Sequence, residues 1–470
     1  MPAPRVPRLL TALDRTVRRR GNASALFAAD ATLTWRELTQ RAGGVARRLV
    51  EQGLEPGDRV AVLLPNGWRF AVALLGGLMA GATVSPLNPK LAAAERTLIL
   101  ADLRPRIVLD AIGEETADWS RLLEPRAAAL ILYTSGSTGR PKGAVLSHAA
   151  LDAALVSWAG PVMGLTGTDC VLATLPLSHS FGINGALLAP ILAGARVAMV
   201  EPFTPAAALA AISQHGVTVF PGVATMFRRL LDTPALDPSE LTTLRIAVSG
   251  AAPCPWDLAQ EWRARTGVRI LRGYGMTELF RPISYRADDA RDLPESIGRP
   301  VPGVELRIVN DAGRPQPAGE TGELWIRSPA VMEGYLEAQE ETRAVLADGW
   351  FRTGDLATIS SDGFVAIAGR KKELILRGGY SVVPAEVEAV LLTHPAVAEA
   401  AVVGEPHPDL GEEVVAFVTL RAGAPVDPAA LIAHCRERLA GYKYPRRVTV
   451  LDALPKSATG KVLKTQLTSG

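Results

Sequence analysis

One segment of the sequence combines glycine, hydroxyl-bearing and lysine residues in an order that suits an anion. It follows the apolar run 127–132, and its candidate binding residues are Thr134, Ser135, Gly136, Ser137, Thr138, Gly139 and Lys142. Glycines allow backbone N–H groups to point toward an anion, hydroxyl groups add donors, and lysine adds positive charge. The spacing differs from that of a Walker A loop. The composition predicts a polyphosphate-binding loop, and a flexible linker is the alternative interpretation.

A second segment, 273–278, reads Gly-Tyr-Gly-Met-Thr-Glu and ends in a carboxylate. A carboxylate next to bound phosphates can hold Mg²⁺, which prefers oxygen ligands and bridges phosphate oxygens. Glu278 is therefore the candidate metal ligand. Taken alone, the segment is more typical of a glycine turn that carries a solvated glutamate.

Two further segments carry one chemically useful side chain each. Asp355, in a predicted turn at 350–356, can accept hydrogen bonds from both hydroxyl groups of a ribose. Lys461 lies in the segment 455–462, where a lysine on a glycine-flanked loop can be delivered to a reacting site as a mobile positive charge. The alternative interpretations are a plain turn residue and a solvated terminal lysine.

The elements that must position these residues follow a layered α/β pattern. Short β-branched runs alternate with longer segments rich in alanine and leucine, which is typical of strands and helices in such folds. Residues 1–22 predict an amphipathic helix and 68–80 a second helix. The runs 59–64, 217–220 and 244–248 predict buried strands of a parallel sheet.

The pattern changes after Pro300. The runs 304–309, 322–326 and 364–367 are separated by the turn sequences Asp311-Ala312-Gly313 and Asp362-Gly363 and predict antiparallel strands. Helices are predicted near 384–394 and 428–439. We therefore expect an α/β protein with two domains. Residues 1–370 would form a large N-terminal domain of layered α/β subdomains plus a small antiparallel β subdomain, and residues 371–470 a small C-terminal α+β domain.

Composition and charge limit the class of protein. The 470 residues, of which 48% are hydrophobic, can bury a sizeable core and should divide into at least two domains. Fifty basic and 48 acidic residues give a net charge of +2, which argues against nucleic acid or an anionic membrane as the main partner. Three widely separated cysteines suit a reducing compartment, so the cytoplasm is the expected location. The apolar stretches fall short of the roughly 18 residues of a membrane span.

Taken together and in this order, the four segments closely resemble the adenylate-forming superfamily of AMP-dependent synthetases and ligases. Further matches lie at 175–182, 249–253 and 369–380, and the similarity runs from about Thr34 to Lys464. The superfamily includes acyl-CoA synthetases, adenylation domains of nonribosomal peptide synthetases and beetle luciferases. This chain is most similar to the fatty-acid and other acyl-CoA synthetases. The resemblance implies an enzyme that uses ATP and Mg²⁺ to activate an acid as its acyl-adenylate.

The resemblance also implies a role for each matching residue. Lys461, Thr277 and Glu278 are expected to be catalytic, and Glu278 is expected to bind Mg²⁺. The glycine-rich loop would hold the β- and γ-phosphates, and Asp355 and Arg370 would hold the ribose. The residues expected to flank adenine are Gly250, Ala251, Ala252, Pro253 and Tyr274, and the neighbouring Gly273 and Gly275 are also expected to bind the nucleotide.

A second half-reaction is implied as well, in which a thiol takes the place of Lys461. The C-terminal domain is expected to be mobile and to rotate about a hinge at Lys372. Gly378 and Gly379 would then line the tunnel of the thiol, and CoA is the expected thiol. The basic residues that either contact CoA phosphates or form an ordinary surface are Lys443, Arg446 and Arg447.

The acid pocket is expected to contain His179, Phe181, Asn184, Val223 and Arg281. Most residues of the matching segments are apolar or small, as a fatty or aromatic acid would require. Arg281 departs from the commoner members of the superfamily. It is expected either to bind a second anionic group, or a small inorganic acid such as nitrite, or to have a structural partner.

Three functions are consistent with the sequence. The first is an acyl-CoA synthetase. The second is a biosynthetic adenylating enzyme that transfers to a carrier-protein thiol or to an amine, including amide formation or nitrite-dependent diazotisation. The third is a non-enzymatic adenylate-binding protein, and the presence of Lys142, Glu278 and Lys461 argues against it. The identity of the acid and the oligomeric state are left open.

Overall fold

A computed structural model of the chain describes residues 7–118, 128–135, 141–378, 380–421, 424, 426–456 and 462–467. The chain divides into two compact units. The first comprises Met1–Glu305 and Arg327–Phe351, and the second comprises Leu306–Ile326 and Arg352–Gly470. The domain boundary predicted after Arg370 stays a prediction.

The strands account for most of the β-branched runs of the sequence. Up to residue 300 they are β1 (Ser24–Ala28), β2 (Ala31–Thr34), β3 (Arg59–Val62), β4 (Thr83–Pro86), β5 (Ile107–Leu109), β6 (Ala128–Ser135), β7 (Pro141–Ser147), β8 (Cys170–Ala173), β9 (Arg196–Met199), β10 (Val219–Gly222), β11 (Ile246–Ser249), β12 (Arg269–Leu271), β13 (Gly273–Met276), β14 (Phe280–Ser284) and β15 (Arg299–Pro300). After residue 300 the strands are β16 (Glu305–Val309), β17 (Gly322–Arg327), β18 (Gly334–Tyr335), β19 (Leu346–Ala347), β20 (Trp350–Ile359), β21 (Val365–Arg370), β22 (Ile375–Arg377), β23 (Tyr380–Val382), β24 (Val397–His407), β25 (Gly411–Leu420) and β26 (Arg447–Val450).

The helices alternate with these strands. The α-helices are α1 (Arg8–Arg20), α2 (Trp35–Glu51), α3 (Trp68–Met79), α4 (Ala93–Leu103), α5 (His148–Ser157), α6 (Ala189–Ala193), α7 (Pro205–His215), α8 (Ala224–Leu231), α9 (Trp256–Thr266), α10 (Gln339–Val345), α11 (Pro384–Leu392) and α12 (Pro428–Arg436). The segments Trp158–Val162 and Gly182–Leu188 are π-helical, and Pro238–Leu241, Lys371–Glu373 and Lys464–Gln466 are 3₁₀ turns. Local sequence explains where α2 begins, because Thr34 and Glu37 form a capping box there.

One sheet of the first unit has the strand order β12-β11-β10-β8-β9-β1-β2. All neighbours from β12 to β1 are parallel, and β2 is antiparallel to β1. Helices α8 and α9 cover it through aromatic packing. The Phe227 ring lies 5.1 Å from that of Phe220 and 5.2 Å from that of Trp262. Burying each ring contributes roughly 1.5–3 kcal/mol to folding, so this core fixes the strands that end at the candidate site.

A second sheet of the first unit has the order β18-β7-β6-β4-β3-β5. Strands β5, β3, β4 and β6 are parallel, whereas β7 is antiparallel to β6 and β18 to β7. Helix α4 covers one face, where Ile99 and Leu103 pack with Ala61 and Ile131. The antiparallel pair of β6 and β7 is joined by the residues of the glycine-rich loop.

The second unit contains two sheets. In one, β16, β17 and β20 are neighbours and β21 pairs antiparallel with β20. The other has the order β23-β22-β25-β24, with β26 parallel to β25. Helices α11 and α12 pack against this second sheet through a core that includes Val387, Leu391, Leu431 and Cys435.

The structure confirms the predicted α/β fold with layered sheets. The predicted N-terminal helix is α1, and the strand predicted at 217–220 begins two residues later, at Val219. Within the part of the chain that the structure describes, no helix is both long and apolar enough to cross a membrane.

Candidate active site

Predicted site segments follow the neighbouring strands β8, β10, β11 and β12 of the first unit. Strand register pairs Gly222 with Ser249, the last residues of β10 and β11, so these strands end at the same edge of the sheet. In open α/β sheets, ligands bind in the crevice beyond the carboxyl ends of the strands. The sheet therefore brings to one edge the segments that carry His179, Val223, Gly250 and Gly273.

The strands on either side of the glycine-rich loop hold two predicted residues opposite each other. Thr134 of β6 pairs with Lys142 of β7, and Ser135 pairs with Pro141. The Lys142 Nζ lies 5.4 Å from the centroid of the Tyr335 ring, within the range of a cation–π contact. The predicted loop residues outside the described part of the chain are Gly136, Ser137, Thr138 and Gly139.

Glu278 lies between β13 and β14 and contacts a distant part of the chain. The Tyr335 hydroxyl donates a 2.8 Å hydrogen bond to Glu278 Oε1, and the Met332 N–H donates one of 2.8 Å to the Glu278 carbonyl oxygen. Burial, followed by the charge of Glu278, raises the pKa of Tyr335, so the hydroxyl stays a proton donor. Glu278 is thus held at both its side chain and its main chain, and its neighbour Thr277 is half-buried.

The hairpin that presents Glu278 needs a glycine at position 275. A Cβ on Gly275 would lie 2.0 Å from the Phe280 carbonyl oxygen, and Phe280 has a φ of 54°, which residues other than glycine rarely adopt. Strained backbone of this kind often occurs at functional sites. The segment Gly273–Met276 is a strand, so the interpretation of a simple glycine turn is wrong.

Arg281 is a buried cation that bonds to neutral oxygens. Its Nε donates to the Ser284 hydroxyl at 2.9 Å, its Nη1 to the Ser249 carbonyl at 2.8 Å and its Nη2 to the Leu271 carbonyl at 3.0 Å. Among the described residues no carboxylate pairs with it, and burial lowers its pKa to about 9. The guanidinium group therefore ties the ends of β11 and β12 together.

The Arg281 guanidinium lies next to both segments that contain the residues expected to flank adenine. A Cβ on Gly273 would lie 2.3 Å from its Nη2, and the guanidinium carbon lies 5.2 Å from the centroid of the Trp158 ring. Three of its five N–H groups are used by the bonds to protein oxygens. Arg281 therefore has the structural partners that were one of its predicted roles. Its two remaining N–H groups could still donate to a ligand.

The segment expected to line the acid pocket combines aromatic rings with unused polar groups. The Phe181 ring stacks on that of Trp158 at 5.5 Å. Within the described residues, His179 Nε2 and both amide atoms of Asn184 are buried without a hydrogen-bond partner, and burial lowers the pKa of His179. Buried polar atoms are normally paired, so these atoms mark a place where a bound ligand or water would supply the partners.

The connection from β11 to α9 contains the first set of predicted adenine-flanking residues, Gly250, Ala251, Ala252 and Pro253. Ala251 adopts a left-handed conformation with a φ of 65°, and both Ala251 and Pro253 are exposed. In the second set, Tyr274 of β13 is half-buried. Both sets therefore lie next to the carboxyl ends of β11 and β12, with exposed surface available to a ligand.

In the second unit, Asp355 and Arg370 are partners across neighbouring strands. Asp355 of β20 pairs with Arg370 of β21, and the Arg370 Nε lies 2.9 Å from Asp355 Oδ1. The Asp355 side chain is only 4% exposed. The prediction that Asp355 lies in a turn is wrong, because Trp350–Ile359 is a continuous strand. The bend that the sequence suggested is limited to Gly354, with a φ of 70°.

The predicted hinge and thiol-tunnel residues also lie in the second unit. Lys372 is in the 3₁₀ turn Lys371–Glu373, directly after β21. Gly378 has a φ of 57°, and its N–H donates to the Leu410 carbonyl at 2.8 Å. Gly379 and Lys461 lie outside the described residues.

Each basic residue considered for CoA has a partner within the second unit. Lys443 Nζ lies 2.7 and 2.8 Å from the two carboxylate oxygens of Glu386. Arg447 is bonded to Glu405. The Arg446 guanidinium lies 3.6 Å from the centroid of the Tyr444 ring. The structure thus gives this cluster ordinary surface partners, which a CoA phosphate would have to replace.

Tyr335 and Trp158 are the residues that the sequence analysis missed. Tyr335 lies 57 residues from Glu278, and Trp158 carries no recognisable motif. The signal available in the sequence was the pair Gly334-Tyr335 followed by the acidic helix α10, and it gave no indication of a contact with Glu278.

Comparison with known proteins identifies the family of the chain. Residues 13–123 and 113–336 match the family model of AMP-binding enzymes, and residues 386–461 match that of the AMP-binding enzyme C-terminal domain. The chain is 38% identical to the 3-[(3aS,4S,7aS)-7a-methyl-1,5-dioxo-octahydro-1H-inden-4-yl]propanoyl:CoA ligase of Mycobacterium tuberculosis, with 97% of each chain covered.

Two solved structures extend the similarity to the whole fold. The ATP-bound MatB of Rhodopseudomonas palustris has a TM-score of 0.91 and 32% identity, with 99% of this chain and 98% of that chain covered. The amide bond synthetase McbA of Marinactinospora thermotolerans has a TM-score of 0.89 and 31% identity, with 98% and 99% covered. The chain therefore belongs to the family of AMP-binding enzymes, within the adenylate-forming superfamily, and is an AMP-forming acid ligase that uses ATP.

Proposed function

We propose that this enzyme joins a carboxylic acid to AMP, releases pyrophosphate, and then transfers the acyl group to CoA. The observation that carries the proposal is that the Tyr335 side chain contacts both Lys142 and Glu278. The Tyr335 ring lies 5.4 Å from Lys142 Nζ, and its hydroxyl lies 2.8 Å from Glu278 Oε1. A phosphate-binding cation and a metal-binding carboxylate are thereby held together, as activation by ATP requires.

Activation is needed because a carboxylate is a poor acyl electrophile. Joining it to AMP supplies a good leaving group. In the proposed step, a carboxylate oxygen attacks the α-phosphorus in line and the bond to pyrophosphate breaks. Negative charge on the phosphate oxygens must be offset by positioned donors. We assign this task to Lys461 and Thr277 at the α-phosphate, and to Thr134, Ser135, Thr138 and Lys142 at the β- and γ-phosphates.

The residues present fit Mg²⁺ bound together with the nucleotide. Protein sites commonly hold Mg²⁺ through one or two carboxylates plus the phosphates of a substrate. Glu278 accepts the Tyr335 hydrogen bond on Oε1, and its Oε2 accepts no hydrogen bond among the described residues. Glu278 would be the protein ligand, and bound Mg²⁺ would supply positive charge to the phosphate oxygens.

Transfer to CoA is the second proposed step. The relative from Mycobacterium tuberculosis, at 38% identity, is a CoA ligase, which supports CoA as the acceptor. We assign the hinge for the change between half-reactions to Lys372 and the thiol path to Gly378 and Gly379. In this step the thiol sulfur attacks the acyl carbon, and AMP leaves.

The acid would bind among His179, Phe181, Asn184, Val223 and Arg281. The aromatic rings suit an apolar or aryl portion of the acid. The amide of Asn184, for which the described part of the chain offers no hydrogen-bond partner, suits a polar group. The spare N–H groups of Arg281 would favour an acid that carries a second anionic group. Arg281 is buried and has no carboxylate partner among the described residues, and its uncompensated charge supports that preference.

Transfer to an amine is the second candidate function. It is favoured by the similarity to the amide bond synthetase McbA, at 31% identity over nearly the whole chain. Transfer to a carrier-protein thiol would use the same adenylating site and would differ from transfer to CoA only in the second half-reaction. In nitrite-dependent diazotisation, nitrite would be the acid that is adenylated in the first half-reaction, and an amine would be the acceptor in the second.

A screen for acid-dependent pyrophosphate release tests the proposal. Fatty, aryl, dicarboxylic and inorganic acids are each supplied with ATP and Mg²⁺, together with CoA, with an amine, or with neither. We expect at least one acid to release pyrophosphate, and CoA to increase its turnover. An increase with the amine but not with CoA would favour the second candidate. No acid-dependent release from a folded sample would contradict both.

A further inference from the structure

We propose that Tyr335 is a positioning residue that holds the metal-binding carboxylate of Glu278 and the phosphate-binding amine of Lys142 in a fixed relation. The proposal rests on the proposed function, because that function gives Glu278 and Lys142 their roles. Tyr335 itself is not expected to touch the reacting atoms. Its task would be to keep two charged groups of opposite sign apart and oriented until Mg²⁺ and ATP bind between them.

The backbone of Tyr335 is anchored to the strand that leaves the glycine-rich loop. Tyr335 pairs with Ala144 of β7, and the next residue, Leu336, donates from its N–H to the Gly143 carbonyl at 2.7 Å. Lys142 is the residue before Gly143. The position of Tyr335 along the sheet is therefore set by the same strand that carries Lys142.

A second anchor comes from the start of helix α10. The Tyr335 N–H donates to the Thr342 hydroxyl at 2.9 Å, and that hydroxyl donates to the Ala338 carbonyl at 2.8 Å. The short strand β18 is thus fixed on both sides. A tyrosine held this way can orient a partner with little loss of side-chain freedom on binding.

The same segment contacts Glu278 twice. The Tyr335 hydroxyl reaches Glu278 Oε1 at 2.8 Å, and the Met332 N–H reaches the Glu278 carbonyl at 2.8 Å. One contact fixes the carboxylate and the other fixes the backbone that carries it. Because only one carboxylate oxygen is used by Tyr335, the other is left to bind a metal.

The ring of Tyr335 serves the second partner. The Lys142 Nζ lies 5.4 Å from the ring centroid, so the ring face attracts the ammonium group without neutralising it. A carboxylate in that place would form an ion pair and compete with phosphate. Tyrosine therefore meets both needs, since its hydroxyl holds an anion and its ring holds a cation.

The hydroxyl contact can be removed with one substitution. Groups that hydrogen-bond a metal ligand typically change metal affinity by 10- to 100-fold when they are lost. Tyr335→Phe keeps the ring and removes the hydroxyl. We expect the gain in ATP affinity that Mg²⁺ provides to fall by roughly 10-fold, while binding of ATP in EDTA is unchanged. Tyr335→Leu should also weaken ATP binding in EDTA, by about threefold, because the ring contact with Lys142 is lost.

The readout is equilibrium binding of ATP by titration calorimetry, in EDTA and at saturating Mg²⁺, with no acid present so that no turnover occurs. Tyr285→Phe is the matched control, because the Tyr285 hydroxyl is also buried and accepts a 2.9 Å hydrogen bond from the Leu293 N–H. It should leave the ratio of the two ATP dissociation constants unchanged. Thermal unfolding of all variants checks that they are folded.

Equal weakening of ATP binding with and without Mg²⁺ would indicate a merely structural role and overturn the proposal, as would an unchanged ratio in Tyr335→Phe. A double-mutant cycle gives a further check. In a Glu278→Ala background, Tyr335→Phe should not change the ratio again, and an additional loss would contradict an action through Glu278. Because no acid is used, failure here is distinct from failure of the acid screen.

Discussion

Arg370 Nε lies 2.9 Å from Asp355 Oδ1, and the two residues are direct partners on the neighbouring strands β20 and β21. The carboxylate is 4% exposed and the guanidinium is 36% exposed. Removing one partner of such a pair leaves the other charge without compensation in a partly desolvated place. The pair thus fixes the orientation of both groups proposed to hold the ribose.

The first prediction concerns the choice of nucleotide. If Asp355 accepts hydrogen bonds from the ribose hydroxyls, the unchanged enzyme should prefer ATP to 2′,3′-dideoxy-ATP by roughly 10- to 100-fold in kcat/KM, the range for hydrogen bonds to a charged group. Asp355→Asn should lose most of this preference. Steady-state kinetics with both nucleotides measure it. A preference that survives the substitution would remove Asp355 from ribose binding.

Stability provides the control for this variant. Arg370→Ala should lower the free energy of unfolding by about 2 kcal/mol, less than for a fully buried pair because the guanidinium is partly solvated. Asp355→Asn removes the charge and keeps the shape, so its loss should be smaller. The opposite order in thermal unfolding would contradict this account of the pair.

The second prediction separates the two half-reactions. Lys461→Ala should reduce adenylation by about 100-fold or more, the scale for loss of a donor that stabilises transition-state charge. Thioester formation from a supplied acyl-adenylate should change far less. Pyrophosphate release and CoA consumption are measured separately on the same sample. Comparable losses in both assays would rule out the role assigned to Lys461.

The third prediction addresses acid selectivity. Arg281→Met should reduce activity toward acids with a second anionic group by roughly 10-fold or more relative to skeleton-matched monoacids, such as succinate compared with butyrate. Arg272→Met is the control, because Arg272 is also buried but pairs with Asp292 at 2.8 Å. It should affect all acids alike. A uniform loss in Arg281→Met would leave this residue only its structural bonds to Ser249, Leu271 and Ser284.

The fourth prediction concerns acid sensitivity. His148 Nε2 is buried without a partner among the described residues, and burial lowers the pKa of His148 from 6.5 to about 4. Between these values the unfolded chain binds a proton that the folded chain does not, so stability falls as the pH drops from about 6.5 toward 4. At pH 5 we expect the protonation difference at His148 to lower the free energy of unfolding by about 2 kcal/mol.

His148→Gln cannot take up this proton. The difference between its thermal unfolding midpoints at pH 7 and pH 5 should therefore be smaller than that of the unchanged protein. An equal or larger difference would mean that another group is responsible for the acid sensitivity.

Much of the first unit could be predicted because its strands are buried on both faces. Runs such as 59–64 and 244–248 contain little but apolar residues, and a turn or glycine ends each of them. The structure places β3 and β11 there. The short motifs could be recognised for a different reason, because the glycines and charged residues of each motif are close together in the sequence.

The contacts that complete the site could not be predicted this way. Tyr335 and Glu278 are 57 residues apart in the sequence, and they meet through tertiary contacts such as the pairing of β18 with β7 and the bond from the Met332 N–H to the Glu278 carbonyl. Arg281 donates to the backbone carbonyls of Ser249 and Leu271. Every residue has such a carbonyl, so the sequence does not reveal these partners. The sequence around Asp355 predicts a turn, yet pairing with β21 makes this segment a strand.

The central claim is that the acid is activated by transfer to AMP, and oxygen labelling tests it most directly. An acid that supports turnover is prepared with ¹⁸O in its carboxylate and incubated with enzyme, ATP, Mg²⁺ and CoA. Mass spectrometry of the products then locates the label. Attack of the carboxylate on the α-phosphorus predicts one ¹⁸O atom in AMP and none in pyrophosphate. Formation of ADP, or of AMP without the label, would contradict the account.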